Sequence, residues 1–169
     1  TSDNGPACNS NSPLEYFKSG GPFKCTKGWG KASLHEGGIR LPFIITCGSH
    51  LTPGKSNHAG QFVDIMPTFA ELAGIEAPAN DGISLVPTLT GGEQPKHEYL
   101  YWEFPGGKGW VAVRWGEWKG IVKNVHKGNN VMELYDLHTD LRETTDVAAQ
   151  YPEVVEQMWK FIKESHQPV

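Results

Sequence analysis

The stretch "YLYWEFPGGKGWVAVRWGEWKGIVK", residues 99–123, decides the fold of the second half of the chain. It contains three short runs rich in aromatic and β-branched residues, and such runs predict β-strands. In the middle run Val111 and Val113 alternate with other residues, which places them on one face of a strand. Gly116 and Glu117 form a two-residue connection to the third run, so these two strands are predicted to pair as an antiparallel hairpin.

A fourth strand and a helix follow this stretch. The run "VMELYDL", residues 131–137, predicts the fourth strand, and residues 152–165 have the spacing of an amphipathic helix that begins at Pro152. The predicted apolar face of this helix consists of Val154, Val155, Met158, Trp159 and Ile162. The second half is therefore predicted to be a small antiparallel sheet with a helix on one face.

The first half reads differently. Residues 5–38 are rich in Gly, Ser, Asn and Pro, which predicts a long irregular segment. Phe43–Thr46 is a short apolar run and predicts a buried strand. Residues 60–75 predict a helix with Asp64 as its N-cap and Gly74 just after its end. This half resembles a piece of a larger domain.

Composition excludes some classes of function. The net charge is −4 and the pI is about 5.9, so the chain has no basic excess for nucleic acid. No apolar run approaches the roughly 20 residues that cross a bilayer. The cysteines Cys8, Cys25 and Cys47 are odd in number and widely spaced, so they form no zinc motif. Two states of the cysteines remain open: a disulfide between Cys8 and Cys25, or three free thiols.

Six sequence pieces carry a family resemblance. In order they are "TSDNGP" (1–6), "GKASLHEGGIRLPFII" (30–45), "DIMPTFAELAG" (64–74), "DGISLVPTL" (81–89), "AVRWGEWKGI" (112–121) and "ELYDLHTDLRETTDVA" (133–148). Each piece alone is weak, but together they resemble the C-terminal third of a type I sulfatase, the arylsulfatase family of the alkaline-phosphatase-like superfamily. The resemblance covers nearly the whole chain.

The resemblance implies an α/β fold for the intact enzyme and an α+β arrangement for this chain. Residues 1–95 would be the terminal part of the catalytic α/β domain. Residues 96–169 would be the C-terminal subdomain, a four-stranded antiparallel sheet packed on a helix.

The resemblance also implies calcium and formylglycine in the active site. Formylglycine is made from Cys or Ser in a Cys/Ser-x-Pro/Ala-x-Arg motif, and its hydrate attacks the sulfur of the ester. No Cys or Ser of this chain stands in that motif. We therefore expect the nucleophile to lie in a missing N-terminal catalytic portion, and this chain alone to be inactive and to retain little metal.

Three residues match site positions of the family. Asp3 and Asn4 match a pair of calcium ligands, and their oxygens suit a hard cation. Lys31, five residues before Glu36, matches the lysine that contacts sulfate, and Lys27 is the alternative register. An ammonium group suits sulfate oxygens because it offers three donors and a charge.

The remaining residues of this loop are predicted to be structural. His35 stands where the family often has an aromatic residue, and Glu36 and Arg40 are expected to pair and fix the loop. Gly37 and Gly38 are expected to permit a sharp turn.

A second group of candidates lies at the ends of the first two predicted strands and in the connection between them. Trp102, Glu103 and Lys108 are candidates for substrate contact, with Trp110 beside them, since indole faces suit sugars and lysine suits anions. The alternative interpretation is that the tryptophans belong to the sheet core and that Lys108 is a turn residue.

The resulting hypothesis is a sulfuric ester hydrolase that acts on sulfate esters, including those of carbohydrates. Two alternatives remain open: a phosphate or phosphonate monoester hydrolase of the same superfamily, and a non-catalytic glycan-binding module. Family members are usually exported, which favours a periplasmic or extracellular location. Apolar surface near Ile44 and Phe69 predicts a homodimer, or partial disorder, of the isolated chain.

Overall fold

A computed structural model of the protein describes residues 1–7, 18–51, 53–106 and 109–166. The predicted candidates Cys8 and Lys108 lie outside the described residues, so the Cys8–Cys25 disulfide and the role of Lys108 stay predictions. The strands are β1 (Leu100–Phe104), β2 (Trp110–Trp115), β3 (Trp118–Val122) and β4 (Met132–Asp136), and the helices are α1 (Glu36–Ile39), α2 (Ile65–Ala73), α3 (Val86–Thr90) and α4 (Pro152–Ser165). No helix among the described residues is long and apolar enough to cross a bilayer.

The chain forms two compact units. Thr1–Phe43 and Tyr99–Val169 make the first unit, and Ile44–Glu98 makes the second. The predicted boundary between residues 95 and 96 concerns the domains of the intact enzyme and stays a prediction.

The first unit is built on the predicted antiparallel sheet. Its four strands lie in the order β1-β2-β3-β4, and each strand pairs with the next along the chain. Trp115 lies opposite Trp118, so Gly116 and Glu117 form the predicted two-residue hairpin connection. Gly116 has φ +60°, a left-handed conformation that glycine adopts at low cost in such turns. The four antiparallel strands and the Gly116-Glu117 turn confirm the sequence-based prediction.

One face of the sheet packs against helix α4. Successive side chains of a strand point to opposite faces, so Val111 and Val113 share this face. The buried cluster here consists of Val111, Val113, Val122, Met132, Leu134, Val154, Met158, Phe161 and Ile162. Val155 and Trp159 pack at its edge as predicted, whereas the buried Phe161 was not predicted.

The opposite face of the sheet packs against the loop that ends in helix α1. Ala112, Ile121 and Tyr135 form a buried cluster with Leu34 of this loop. Ile39, Trp102 and Trp110 are partly buried against the same cluster. The sheet therefore lies between helix α4 and the loop that carries Lys31.

The second unit contains helices α2 and α3. Helix α2 ends at Gly74, which has φ +69° and donates its N–H to the carbonyl of Glu71, so the predicted C-terminal glycine is confirmed. Asp64 occupies the predicted N-cap position, but its carboxylate makes no capping hydrogen bond to helix α2. It accepts hydrogen bonds from Ile83 N, from His97 Nε2 and from Gln61 N, each at 2.8 Å. The predicted helix cap is thus a buried acceptor that joins several segments of the unit.

The prediction of a buried strand at Phe43–Thr46 is wrong. These residues are irregular, and the exposed fraction is 47% for Phe43 and 81% for Ile44. A strand needs a neighbour to accept its backbone hydrogen bonds, and no described residue pairs with this segment. The apolar side chains of this segment therefore lie at the surface of the described chain.

Helix α2 also presents apolar side chains to solvent. The exposed fraction is 64% for Phe69 and 57% for Leu72. Contiguous apolar surface of this kind favours association. The homodimer of the isolated chain stays a prediction that this surface supports.

Candidate functional site

The predicted metal ligands Asp3 and Asn4 lie next to the predicted sulfate loop. The N–H of Gly5 donates to the carbonyl of Gly38 at 2.8 Å, and the N–H of Lys31 donates to the carbonyl of Pro6 at 2.9 Å. These two backbone bonds attach the N-terminal segment to helix α1 and to the Lys31 turn. Predicted site residues about 30 positions apart in sequence are thereby brought into one region.

A tight turn presents Lys31 to solvent. Ser33 N donates to Gly30 O at 3.1 Å, and Ala32 between them has φ +63°, an uncommon conformation for a residue with a side chain. Lys31 is exposed, whereas Ser33 is buried. The turn therefore holds its backbone against the protein and leaves the ammonium group accessible to an anion.

Gly37 and Gly38 act differently from the prediction. Neither has a left-handed φ, and both lie within the single turn of helix α1. A Cβ on Gly38 would lie 2.6 Å from the carbonyl oxygen of Gly30, and a Cβ on Gly37 would lie 2.7 Å from that of Trp29. These glycines are required because other backbone segments approach them closely.

A buried charge cluster lies beneath this loop. Lys119 of strand β3 is fully buried, and its Nζ lies 2.8 Å from Oε1 of Glu36 and 3.8 Å from Oε1 of Glu143. Arg40 Nη1 lies 3.3 Å from the second oxygen of Glu36, which confirms the predicted pair. Burial alone would raise the pKa of Glu36, but the charges of Lys119, Arg114 and Arg40 outweigh it and hold the pKa below its ordinary value.

His35 is a buried structural histidine, as the sequence favours. Its ring stacks on Trp29 with centroids 3.8 Å apart, and its exposed fraction is 1%. Nδ1 lies 3.3 Å from Oε1 of Glu143, although the two atoms form no hydrogen bond. Burial lowers the pKa of His35 and outweighs the opposing effect of Glu143, so the ring is neutral in the folded chain near pH 7.

We expect the folded chain to lose stability as the pH falls below about 6.5, the ordinary pKa of histidine. The unfolded chain then protonates His35, whereas the folded chain, with its lowered pKa, does not, so acid favours unfolding. Urea unfolding between pH 7.5 and 5.5 should show a smaller pH dependence in His35→Gln than in the parent. The exposed His50 is the matched control, and an equal change in His50→Gln would contradict the assignment.

Two residues missed by the sequence reasoning are Lys119 and Glu143. Lys119 shares its strand face with the buried Ile121, and a charged residue at such a position was a usable signal of a buried ion pair. Glu143 lies in "DLRETTD" and carries no such signal, because its partner Glu36 is 107 residues away in sequence. That contact is visible only in the fold.

The proposed substrate contacts make internal interactions. Trp102 is partly buried, and the ammonium of Lys119 lies 5.3 Å from its ring centroid. Glu103 accepts hydrogen bonds from the hydroxyl of Tyr101 at 2.7 Å and from Nδ1 of His166 at 3.1 Å. The role of both residues in substrate binding stays a prediction.

The donor set for calcium is partial. Asp3 and Asn4 supply oxygen donors of the type that calcium prefers, and Asp3 is exposed. The amide of Asn4 donates to Asp3 Oδ2 at 2.5 Å, which places both side chains together. No described group of three or more His, Cys, Asp or Glu side chains is placed to hold a metal ion. The two residues fit two positions of a calcium site, and two oxygen donors alone do not complete one.

Comparison with known proteins finds relatives over most of the chain. The family model for the C-terminal region of N-sulphoglucosamine sulphohydrolase matches residues 26–168. Arylsulfatase A of Bos taurus is 34% identical over 70% of this chain. An N-acetylgalactosamine-6-O-sulfatase of Bacteroides thetaiotaomicron is 29% identical over 96% of this chain.

Solved structures show the same relation. A structure from work on glycosaminoglycan metabolism by Bacteroides thetaiotaomicron covers 96% of this chain with a TM-score of 0.73 and 26% identity. A second, solved with its substrate D-glucosamine-2-N,6-O-disulfate, covers 60% of this chain with a TM-score of 0.51 and 26% identity.

The match is to part of each relative. This chain spans 23% of the bovine relative, 35% of the bacterial relative, and 37% and 23% of the two solved chains. The predicted resemblance and fold class are confirmed, and the chain belongs to the sulfatase family, where it corresponds to the C-terminal region.

Proposed function

We propose that this chain is the C-terminal part of a longer enzyme that hydrolyses sulfate esters of carbohydrates. The observation that carries the proposal is the backbone attachment of the Asp3–Asn4 segment to the Lys31 loop, through Gly5 to Gly38 and Pro6 to Lys31. A cation held at Asp3 and Asn4 and an ammonium at Lys31 would both face an anionic group. Sulfate is such a group, and the relatives are named as sulfatases.

The proposed substrate class rests on the relatives. One relative is named as an N-acetylgalactosamine-6-O-sulfatase, and one solved relative contains a sulfated glucosamine. The substrate in the name of the first relative and the ligand of the second are both sulfated amino sugars. A sulfated hexosamine, free or within a glycosaminoglycan, is therefore the first substrate to assay, and we propose a periplasmic or extracellular location where such glycans occur.

The residues of this chain would have two tasks. Asp3 and Asn4 would contribute two oxygen ligands to calcium, which when bound supplies positive charge at the sulfate group. Lys31 would orient the sulfate and stabilise negative charge on its oxygens in the transition state. Formylglycine would come from the part of the enzyme that precedes this chain, which explains why no Cys or Ser here stands in its motif.

The experiment is a comparison of two proteins. The purified longer protein should release sulfate from a sulfated hexosamine and from an aryl sulfate, and the 169-residue chain should release none. Release from phosphate or phosphonate monoesters alone would favour the other hydrolase class. Tight binding of a sulfated glycan by the isolated chain, without turnover by the longer protein, would favour a binding module.

A further inference from the structure

Lys119 makes the central contact of the buried charge cluster. It belongs to strand β3, it is fully buried, and its Nζ lies 2.8 Å from Oε1 of Glu36. Glu143 Oε1 lies 3.8 Å from the same ammonium, and the ring centroid of Trp102 lies 5.3 Å from it. A lysine is almost never fully buried unless it is paired, so these partners explain its position.

Glu36 is held at both its side chain and its backbone. Lys119 donates to one carboxylate oxygen, and Arg40 lies 3.3 Å from the other. Its backbone N–H donates to Oε2 of Glu143 at 2.7 Å in a buried hydrogen bond. The first residue of helix α1 is therefore fixed to strand β3 and to the segment around Glu143.

Helix α1 in turn fixes the candidate site. The carbonyl of Gly38 accepts the N–H of Gly5, immediately after Asn4. Gly38 also packs so closely on Gly30 that a Cβ would not fit between them. A displacement of helix α1 would thus be transmitted both to the Asp3–Asn4 segment and to the turn that presents Lys31.

We propose that Lys119 is a positioning residue for the sulfate site. It holds helix α1 through Glu36 and thereby sets the distance between the Asp3–Asn4 segment and Lys31. Buried ion pairs contribute little net stability compared with apolar replacements, so orientation is the better reason for a fully buried lysine here. The proposal rests on the proposed function for its catalytic meaning, but its structural content can be tested separately.

The test is amide hydrogen exchange on the 169-residue chain with Lys119→Met. The amides of Gly5 and Lys31 report the two attachment bonds, and we expect both to exchange at least tenfold faster than in the parent. Removing the ammonium leaves the buried carboxylates of Glu36 and Glu143 without their buried cation and lowers overall stability, so the amides of Val113 in strand β2 and Met158 in helix α4 should also accelerate, but at least threefold less than those of Gly5 and Lys31. A loss of overall stability alone would instead accelerate all four amides by a similar factor, and that result would overturn the proposal.

Matched variants keep the test decisive. Lys160→Met removes an exposed lysine that pairs with Glu156 at 3.1 Å, and it should leave Gly5 and Lys31 unchanged. If Lys119→Met does not fold, Glu36→Gln keeps an acceptor for Lys119 while it removes the charge. Glu36→Gln should accelerate amide exchange at Gly5 and Lys31 at least threefold and leave exchange at Val113 unchanged. Unchanged exchange at Gly5 and Lys31 would overturn the proposal.

The positioning role of Lys119 and the proposed function can fail independently of each other. In the longer protein, Lys119→Met should lower kcat for a sulfate ester more than it raises KM, at unchanged metal content per folded molecule. If the exchange result holds and the parent enzyme hydrolyses no sulfate ester, the proposed function fails while the positioning of the loop by Lys119 stands. If the parent enzyme is active and exchange at Gly5 is unchanged, the positioning role fails alone.

Discussion

In the complete enzyme, Lys31→Ala should lower kcat/KM for a sulfate ester by about 100-fold or more, the size of effect seen when one donor to a developing negative charge is removed. Lys31 is exposed on a turn whose backbone is fixed by Gly30 and Pro6, so its ammonium is accessible to an anion, and we expect it to reach the sulfate without a rearrangement of the loop. The measurement is steady-state kinetics on a sulfated hexosamine.

Lys27 supplies the matched control, because it is an exposed lysine of the same segment and the alternative register of the family motif. Lys27→Ala should change kcat/KM by less than about threefold, since a surface charge makes only a small long-range contribution. A large loss in Lys27→Ala with a small loss in Lys31→Ala would move the sulfate contact to Lys27.

The second large effect is expected at Asp64. Asp64→Ala should destabilise the unit formed by residues 44–98 by roughly 3 kcal/mol, because the backbone donors of Gln61 and Ile83 and the ring of His97 lose their shared acceptor. This corresponds to about a 100-fold acceleration of amide exchange in helix α2.

The tryptophans make the location of this effect measurable. All six lie outside residues 44–98, so tryptophan fluorescence follows the unfolding of the first unit. Asp64→Ala should therefore change exchange in helix α2 more than it changes the urea midpoint from fluorescence. Asp81→Ala, at an exposed aspartate of the same unit, should leave helix α2 exchange unchanged. If Asp64→Ala behaves like Asp81→Ala, the carboxylate does not hold the unit together.

The sheet could be predicted from sequence because its signals are local. Alternating residues such as Val111 and Val113, and the Gly116-Glu117 turn, determine strand identity and pairing within about ten residues of chain. Helix α4 was predictable for the same reason, since its apolar spacing and Pro152 mark its face and its start.

The wrong predictions concern residues whose structure depends on contacts with distant parts of the chain. Phe43–Thr46 has the composition of a buried strand, but a strand also needs a partner, and composition does not supply one. Asp64 stands at the position of a helix cap, yet its partners Ile83 and His97 are 19 and 33 residues away. A carboxylate has several acceptor sites on its two oxygens, so it accepts hydrogen bonds from the donors that the fold places beside it.

The candidate site was only partly predictable. The metal and sulfate roles of Asp3, Asn4 and Lys31 are predicted from the family resemblance and stay predictions. Their proximity depends on the backbone bond from Gly5 to Gly38, and the support beneath them depends on the contact of Lys119 with Glu36, 83 residues away. Neither contact has a signature in the local sequence.

The mass and peptide map of the native gene product from its own host would show whether this chain is the C-terminal part of a sulfatase. We expect a protein longer than 169 residues, with an upstream Cys/Ser-x-Pro/Ala-x-Arg peptide in which the first residue has become formylglycine. A native product that begins near Thr1 would contradict this expectation, because the fold would then have no nucleophile and Asp3, Asn4 and Lys31 would have no reaction to serve.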